Sequence, residues 1–237
     1  MIQIDGSHGG GQILRTALGL SALTKQAFEI VNIRKNRPKP GLSPQHLPCL
    51  KAVAELCTAS FEGAEVSSTA VKFIPRGIKS KTYSIDIGTA GAITLLLQSL
   101  LLPSMFSDKK FKIKVTGGSD VPFSPPSMYF TNILLPHLKK FCDDIEYKVT
   151  KQGFIPKGGG VAELSVKPKF PISKYDNLGG FLTELRTNPT TKINLTNQGK
   201  LLQIKGTSIA SNDLQQAEVA ERQAKEAKMN LMNLNVP

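Results

Sequence analysis

The sequence has few acidic side chains relative to basic ones, and this shortage narrows the choice of partner. Eighteen Asp and Glu residues stand against thirty Lys and Arg residues, which gives the 237-residue chain a formal net charge of +12. A basic excess of this size favours a polyanionic partner, with RNA or DNA ahead of an acidic membrane surface. Solvated surface lysines are the alternative explanation.

Cysteines and long apolar runs are also scarce. Cys49, Cys57 and Cys142 lie in apolar helical patterns without the spacing of metal ligands. We therefore expect them to be reduced core residues of a cytoplasmic protein. The N-terminus lacks a basic-then-apolar signal pattern, and the longest apolar run, Leu95 to Pro103, is too short to span a membrane. That run predicts a buried helix, and no membrane partner is expected.

The chain begins with a strand, a glycine turn and a helix. An apolar run at residues 1–4 predicts the strand, and the three glycines at residues 9–11 lead into an amphipathic helix. Unpaired N–H groups at a helix N-terminus favour phosphate, and Arg15, one turn into the helix, adds a planar fork of donors. A tight turn that needs glycine for packing or for positive φ explains the glycines equally well.

A basic loop rich in proline follows the second predicted strand. Between Lys25 and Lys51 there are six basic residues and one acidic residue, Glu29. Prolines exclude helix and stiffen this loop, so Arg34 and Arg37 would lose little entropy on gripping a phosphate. A solvated basic loop is the alternative. Because the preceding strands belong to one unit, we expect this loop and the glycine turn at the same sheet edge.

The order of the predicted elements repeats once along the chain. Residues 1–80 and 81–168 each predict a βαβαββ unit, and the apolar helix faces indicate an α/β fold in which helices cover one face of mixed sheets. The predicted elements are strand 2–5, helix 11–24, strand 27–33, helix 43–58, strands 60–65 and 70–75, then strand 82–87, helix 89–103, strand 111–116, helix 126–142 and strands 144–150 and 161–167.

The composition changes after residue 168. Residues 169–198 are rich in Lys, Pro, Asn, Thr and Gly and predict a linker with one strand, at 192–196. A strand at 201–206 and a helix from Asp213, as N-cap, to about residue 230 follow. The chain stops within an apparent opening strand at 234–237, and a βα unit cannot bury its own faces, so a truncated last unit is expected.

Five motifs stand in order between residues 1 and 160. They are Asp5-Gly6 with Gly9-Gly10-Gly11-Gln12-Ile13-Leu14-Arg15-Thr16-Ala17-Leu18; Ile33-Arg34 with Arg37-Pro38-Lys39-Pro40-Gly41-Leu42 and Gln45-His46-Leu47; Ile87-Gly88-Thr89-Ala90-Gly91 with Leu97-Gln98; Gly117-Gly118-Ser119-Asp120 with Pro122 and Pro125-Pro126; and Gly153-Phe154 with Pro156 and Gly158-Gly159-Gly160. Together they resemble the RNA 3′-terminal phosphate cyclase family. The resemblance implies a third βαβαββ repeat that starts within 169–198, and a small inserted α/β domain that begins at 199–237.

The resemblance also implies an enzyme. Such enzymes use ATP to convert an RNA 3′-phosphate into a 2′,3′-cyclic phosphate. A histidine attacks the α-phosphorus, AMP passes from the adenylylated enzyme to the RNA phosphate, and the 2′-hydroxyl then displaces AMP. The implied cofactors are ATP and a divalent metal (Mg or Mn), the implied partner is an RNA 3′-phosphate end, and the implied role is RNA processing in the cytoplasm. The sequence specifies neither metal ligands nor an oligomeric state.

Individual positions carry the resemblance unevenly. The positions that match the ATP site are Gln98, Gln12, Asp120 and Pro122, and those that match the phosphate and RNA end of the cleft are Arg15, Arg34, Arg37 and Gln45. Each also has a simpler explanation. Gln98 would suit the surface of a helix, Gln12 would suit the start of a helix, and Asp120 is a residue type that commonly forms turns.

Two departures from the family pattern bear on the chemistry. His8 directly precedes Gly9 in a shortened loop that lacks the usual glutamate, which puts metal binding and nucleotide orientation by this loop in question. None of the three histidines of the chain, at positions 8, 46 and 137, matches the nucleophilic histidine of the family. We therefore expect that histidine beyond Pro237, and we predict structural roles for His46 and His137.

Two other function classes stay open. A non-cyclizing relative that acts in ribosomal RNA maturation would fit the shortened loop. A basic RNA-binding module that never handled ATP would fit the charge, although the retained Gln98 and the turn at residues 88–91 count against it.

Overall fold

A computed structural model describes residues 1–232 of the chain. These residues fall into two compact units, Met1–Lys192 and a second one that begins at Ile193. The fold is mixed α/β, as predicted, and both sheets belong to the first unit. The described residues contain no helix that is long and apolar enough to cross a membrane.

The first sheet has four strands in the order β1-β2-β4-β3. β1 and β2 are parallel, and β4 runs antiparallel to both of its neighbours. The elements of this half are β1 (Ile2–Asp5), α1 (Gly11–Thr24), β2 (Phe28–Val31), α2 (His46–Cys57), β3 (Ser60–Glu62) and β4 (Val71–Ile74). Phe28 and Ile30 alternate with half-buried residues along β2, so one face of the sheet carries the core.

The second sheet repeats this arrangement in the order β5-β6-β8-β7. β5 and β6 are parallel, and β8 is antiparallel to both of its neighbours. The regular elements are β5 (Thr82–Asp86), α3 (Ile93–Met105), β6 (Phe111–Gly117), β7 (Cys142–Lys151) and β8 (Gly160–Pro168). The predicted order of the strands is therefore found in both halves, and the first pair of strands in each sheet is parallel.

The helix predicted at 126–142 is broken into short pieces. They are α4 (Ser127–Tyr129), a π-helical turn (Phe130–Leu134), α5 (Leu135–Leu138) and a 3-10 turn (Lys139–Phe141). Pro136 explains the interruption, because proline lacks the N–H that a continuous α-helix needs and its ring clashes with the preceding turn. Leu135 instead donates its N–H to the carbonyl of Phe130, five residues earlier.

One continuous core joins the two sheets through α1, α2 and α3. The apolar run at 95–103 lies in α3, which is buried along most of its length, as predicted. Gly19 of α1 permits close packing, since a Cβ there would lie 3.1 Å from the carbonyl oxygen of Ser99. The three cysteines are unpaired and buried, and burial raises the pKa of each thiol, to about 11 for Cys49 and Cys57.

The linker predicted after residue 168 contains a helix that the sequence reading missed. α6 (Leu178–Thr187) begins at Asn177, whose side chain accepts a hydrogen bond from the N–H of Gly180. Phe181 is buried against the ring of Phe106, with 5.0 Å between ring centroids. The signal was the N-cap asparagine followed by apolar residues at helical spacing, and the two glycines of the first turn masked it.

The strands predicted at 192–196 and 201–206 are wrong, because residues 192–211 contain no strand. A strand needs a neighbour to satisfy its N–H and carbonyl groups. The predicted helix does form, but its regular part, α7 (Val219–Met232), follows a 3-10 segment (Asn212–Ala217), and none of its residues is buried. The strand expected at 234–237 lies outside the described residues. The third-repeat and insert assignments stay predictions.

Gly41 is the position where the fold most clearly requires glycine. It adopts φ +78°, and a Cβ would overlap the backbone of Ser67. We expect Gly41→Ala to lower the free energy of unfolding by about 2–4 kcal/mol. Gly77→Ala is the matched control, because nothing lies within 4 Å of a Cβ there. Urea unfolding of both variants tests this, and an equal loss in the two would contradict it.

Candidate functional site

The glycine turn lies where β1 meets α1. Asp5 ends the strand, and its carboxylate accepts hydrogen bonds from the N–H and the hydroxyl of Ser7, at 3.0 and 2.8 Å, and from the Asn32 amide at 3.2 Å. The Ser7 and Asn32 hydrogen bonds hold the pKa of Asp5 below its usual value. The first turn of α1 has no acidic residue and no capping side chain, so its N–H groups remain open to an anion.

The basic loop is fastened directly to this turn, as the sequence predicted. The N–H of Arg34 donates to the carbonyl of Gly6 at 3.2 Å, and its guanidinium donates to the carbonyl of Gly41 at 2.8 Å. A further hydrogen bond of 2.8 Å, from the N–H of Gly41 to the carbonyl of Ile33, closes the loop. Arg34 adopts the left-handed conformation, with φ 53°, which such a fastened loop can hold.

Three arginines meet at the turn, and we call Arg15, Arg34 and Arg37 the arginine cluster. A Cβ on Gly10 would lie 3.6 Å from Nη2 of Arg37, and a Cβ on Gly11 would lie 2.9 Å from Nη1 of Arg15. Arg15 is half-buried, its Nε has no hydrogen-bond partner, and burial lowers its pKa. None of the three ion pairs in residues 1–232 involves the cluster. Its positive charge is therefore uncompensated.

His46 forms the buried wall behind the turn. A Cβ on Gly11 would overlap its Nε2, so glycine there lets the imidazole approach the backbone. Nδ1 accepts a hydrogen bond from the N–H of Ser43 at 3.1 Å, and burial, with the charges of Arg34 and Arg15, lowers the pKa of His46 to about 4. The ring is neutral at pH 7 and carries its proton on Nε2, which faces the turn. The sequence analysis predicted only a structural role for it.

A second glycine turn, before α3, reaches the same region. The Asp86 carboxylate fastens this turn by accepting the N–H of Gly88 at 2.8 Å, much as Asp5 accepts that of Ser7. A Cβ on Gly91 would lie 3.7 Å from Cβ of Gln45. Gly158 of the fifth motif adjoins this turn as well, since a Cβ there would lie 2.8 Å from the backbone of Ala90.

The residues predicted for the ATP site are more widely spread than those of the arginine cluster. Oδ1 of Asp120 accepts the N–H of Ser127 at 2.9 Å, while its buried Oδ2 has no hydrogen-bond partner. Pro122 is exposed in the same loop, Gln12 is exposed in the first turn of α1, and Gln98 is exposed on α3. No hydrogen bond within residues 1–232 joins these side chains to the arginine cluster. Their roles stay predictions.

The residues at the turn do not form a protein-held metal site. Residues 1–232 contain no group of three or more His, Cys, Asp or Glu side chains that could hold a metal ion. Asp5 is the only carboxylate at the first turn, and both of its oxygens already accept hydrogen bonds. What the site does offer is a set of donors for phosphate: open helix N–H groups, the arginine cluster and the Nε2–H of His46.

Comparisons with known proteins show which family the chain resembles. The family model described as RNA 3′-terminal phosphate cyclase matches residues 7–228. The chain is similar to the RNA 3′-terminal phosphate cyclase of Pyrococcus abyssi, with 43% identity over all of this chain and 64% of that protein. It is 47% and 48% identical, over 71% of its length, to the proteins of that name from Archaeoglobus fulgidus and Methanopyrus kandleri, of which it covers 52% and 48%. The chain thus spans about half to two thirds of the length of these relatives.

Proposed function

The chain belongs to the RNA 3′-terminal phosphate cyclase family, and from this premise we propose that it supplies the phosphate-binding part of an ATP-dependent cyclase that converts RNA 3′-phosphates into 2′,3′-cyclic phosphates. The observation that carries the proposal is the arginine cluster, which lies against an open helix N-terminus without any paired carboxylate. The name that the relatives share supports the enzyme over a non-cyclizing protein or a simple RNA-binding module.

The chain's own residues would bind and neutralise phosphate. When an RNA 3′-phosphate approaches the phosphates of a nucleotide, several negative charges converge, and arginines fixed in advance offset them at little reorganisation cost. Arg34 is fixed by its hydrogen bond to Gly41, and Arg15 by burial. The neutral imidazole of His46 would add an uncharged donor through Nε2. It would not accept a proton readily, because its pKa is about 4.

ATP is the proposed cofactor, with its nucleoside near the second glycine turn and Asp120. A divalent cation, Mg or Mn, would be held by the triphosphate and water, since Mg²⁺ commonly binds substrate phosphates with few protein ligands. Such a cation would supply further charge neutralisation. This arrangement fits a turn whose only carboxylate is already hydrogen-bonded.

The proposed setting is RNA processing in the cytoplasm. Three buried, unpaired cysteines suit a reducing compartment, and burial keeps their thiols protonated, with the pKa of Cys142 raised to about 12. The net charge of +12 suits an RNA partner.

Arg37→Ala tests the proposal most cleanly. The side chain is exposed, its Nη2 would lie 3.6 Å from a Cβ on Gly10, and it makes no hydrogen bond within the described residues. We expect a roughly 10- to 100-fold weaker affinity for RNA that ends in a 3′-phosphate, because a charged hydrogen bond is worth about 1.5–3 kcal/mol. Stability should change by no more than about 0.5 kcal/mol. Fluorescence anisotropy with labelled oligonucleotides measures the affinity.

Lys39→Ala is the matched control, since it removes an exposed positive charge from the same loop. It should weaken binding slightly and equally for RNA with a 3′-phosphate or a 3′-hydroxyl end. If Arg37→Ala also weakened both RNAs equally, the cluster would not recognise the terminal phosphate. Arg34→Ala is a poorer test, because it also removes the hydrogen bond to Gly41.

A further inference from the structure

The Asp5 carboxylate carries the wrong charge for a phosphate site. It is the only carboxylate of the glycine turn at residues 5–11, which lies beside the arginine cluster. A negative charge repels an approaching phosphate and so weakens its binding. Asp5 is also exposed, so burial in the core does not explain it. A residue with this cost at the proposed site needs a role that outweighs the repulsion.

The hydrogen bonds of this carboxylate join two different loops. On the side of the glycine turn, Oδ1 accepts the N–H of Ser7 at 3.0 Å, and Oδ2 accepts the Ser7 hydroxyl at 2.8 Å. On the other side, Oδ1 accepts the side-chain amide of Asn32, where the basic loop begins, at 3.2 Å. This is the only side-chain hydrogen bond that the structure describes between residues 5–11 and 32–42.

Asn32 is suited to its place at the start of the basic loop. It adopts φ 55°, in the left-handed region, which asparagine tolerates better than most residues that have a side chain. Its carbonyl accepts the N–H of Lys35 at 3.1 Å, and the N–H of Arg37 donates to the carbonyl of Arg34 at 3.0 Å. The conformation of Asn32 therefore affects where both arginines lie, and the hydrogen bond to Asp5 holds Asn32 relative to the glycine turn.

The second repeat unit has a carboxylate at the same place but lacks this connection. Asp86 ends β5 as Asp5 ends β1, and it accepts the N–H of Gly88 at 2.8 Å. The neighbouring strand, β6, ends at Gly117 and is followed by Gly118, and glycine has no side chain that could donate to Asp86. The connection between turn and loop is therefore found in the unit whose loop carries arginines.

We propose that Asp5 is a positioning residue for phosphate binding: by accepting the Asn32 amide, it holds the basic loop against the glycine turn and keeps Arg37 at the open N-terminus of α1. The inference rests on the proposed function. The guanidinium of Arg37 makes no hydrogen bond within the described residues, so its position depends on the backbone of its loop. Groups that are held in place in advance bind an ion at a lower entropic cost than groups that binding must order.

The test measures the affinity of the 237-residue chain for single-stranded RNA that ends in a 3′-phosphate, by fluorescence anisotropy in EDTA. Repulsion alone predicts that Asp5→Ala binds this RNA more tightly. We expect the opposite, a roughly 3- to 10-fold weaker affinity, because the variant loses a hydrogen bond that organises the site. Asn32→Gly leaves the charge of the site unchanged and still allows φ 55°, and it should weaken binding similarly. In an Arg37→Ala background, Asp5→Ala should change the affinity by less than about twofold, because it acts through Arg37.

Glu29→Ala is the matched control. Glu29 accepts the side-chain amide of Gln3 at 2.7 Å across the same pair of strands. The variant therefore removes one carboxylate and one amide hydrogen bond between β1 and β2, but away from the two loops. It should bind the 3′-phosphate RNA within about twofold of wild type, since solvent and salt screen an exposed charge at this separation.

Circular dichroism checks that each variant is folded, and if Asp5→Ala is not, Asn32→Gly decides alone. Unchanged or tighter binding by these variants, in a chain whose preference for the 3′-phosphate depends on Arg37, would overturn the positioning role and leave the proposed function standing. A loss that appears only when Mg²⁺ replaces EDTA would identify Asp5 as a metal ligand and likewise overturn it. An equal loss for RNA that ends in a 3′-hydroxyl would show a general loss of structure instead. A wild-type chain that does not distinguish the two RNA ends would overturn the proposed function and this inference with it.

Discussion

Incubation of the 237-residue chain with α-labelled ATP and Mg²⁺ is expected to give no covalently labelled protein. Nucleophilic attack needs an unprotonated ring nitrogen held near the α-phosphorus. In His46, Nδ1 already accepts the N–H of Ser43, and Nε2 carries the proton. His8 is exposed and has no hydrogen bond to fix it within the described residues, while His137 lies in α5. The chain has no other histidine.

Denaturing electrophoresis detects covalent labelling directly, because an AMP joined to histidine as a phosphoramidate stays on the unfolded protein, whereas non-covalently bound nucleotide dissociates. Nucleotide binding by the same preparation, measured separately, is the control that the protein is competent. A labelled band that disappears in His8→Ala or in His46→Asn would show that the nucleophile lies within this chain. Our expectation of its position beyond Pro237 would then be wrong.

Acidification is expected to destabilise the protein through His46. The pKa of His46 is about 4 in the folded protein, against the ordinary value of 6.5 that the imidazole has in the unfolded chain. Between pH 6.5 and pH 4 the imidazole of His46 is therefore protonated in the unfolded chain but not in the folded protein. The free energy of unfolding falls as the pH falls through this range and then levels off. The loss should be roughly 3 kcal/mol, since each pH unit between the two pKa values is worth about 1.4 kcal/mol.

Urea unfolding at a series of pH values, for wild type and for His46→Asn, isolates this contribution. Asparagine does not titrate over this range, and its side-chain oxygen can still accept the N–H of Ser43. The free energy of unfolding of wild type, relative to that of His46→Asn, should fall by roughly 3 kcal/mol from pH 7 to pH 4. His8→Asn, which removes an exposed imidazole, should follow wild type. Parallel curves for wild type and His46→Asn would show that the buried imidazole does not cause the loss.

The sequence was most informative where local signals and burial agree. Alternating apolar residues mark the strands, and the uninterrupted apolar run at 95–103 marks α3, because each pattern reflects the face that meets the core. The glycine turn and the basic loop were placed at one sheet edge because parallel β1 and β2 end together. These inferences need only the period of each element and the direction of the chain.

The sequence failed where distant contacts decide. α6 forms from a segment that was predicted as a linker, because Phe181 finds a pocket beside Phe106 that is 75 residues away in the chain. Residues 201–206 have a strand-like sequence, but they pair with no strand among residues 1–232, and an unpaired strand leaves its backbone groups unsatisfied. The helix predicted at 126–142 is interrupted because Pro136 cannot donate the N–H that a continuous α-helix needs.

The sequence by itself determined the family, the repeated βαβαββ order and the set of residues from which a phosphate site would be drawn. Those features depend on local spacing, which the chain carries wherever it folds. Only the tertiary structure decided that the arginine cluster meets the glycine turn without a counter-charge, that His46 stands neutral behind it, and that the Asn32 amide reaches the Asp5 carboxylate. Charge compensation, burial and hydrogen bonding between loops depend on which distant groups come together, and no local pattern in the sequence contains that information.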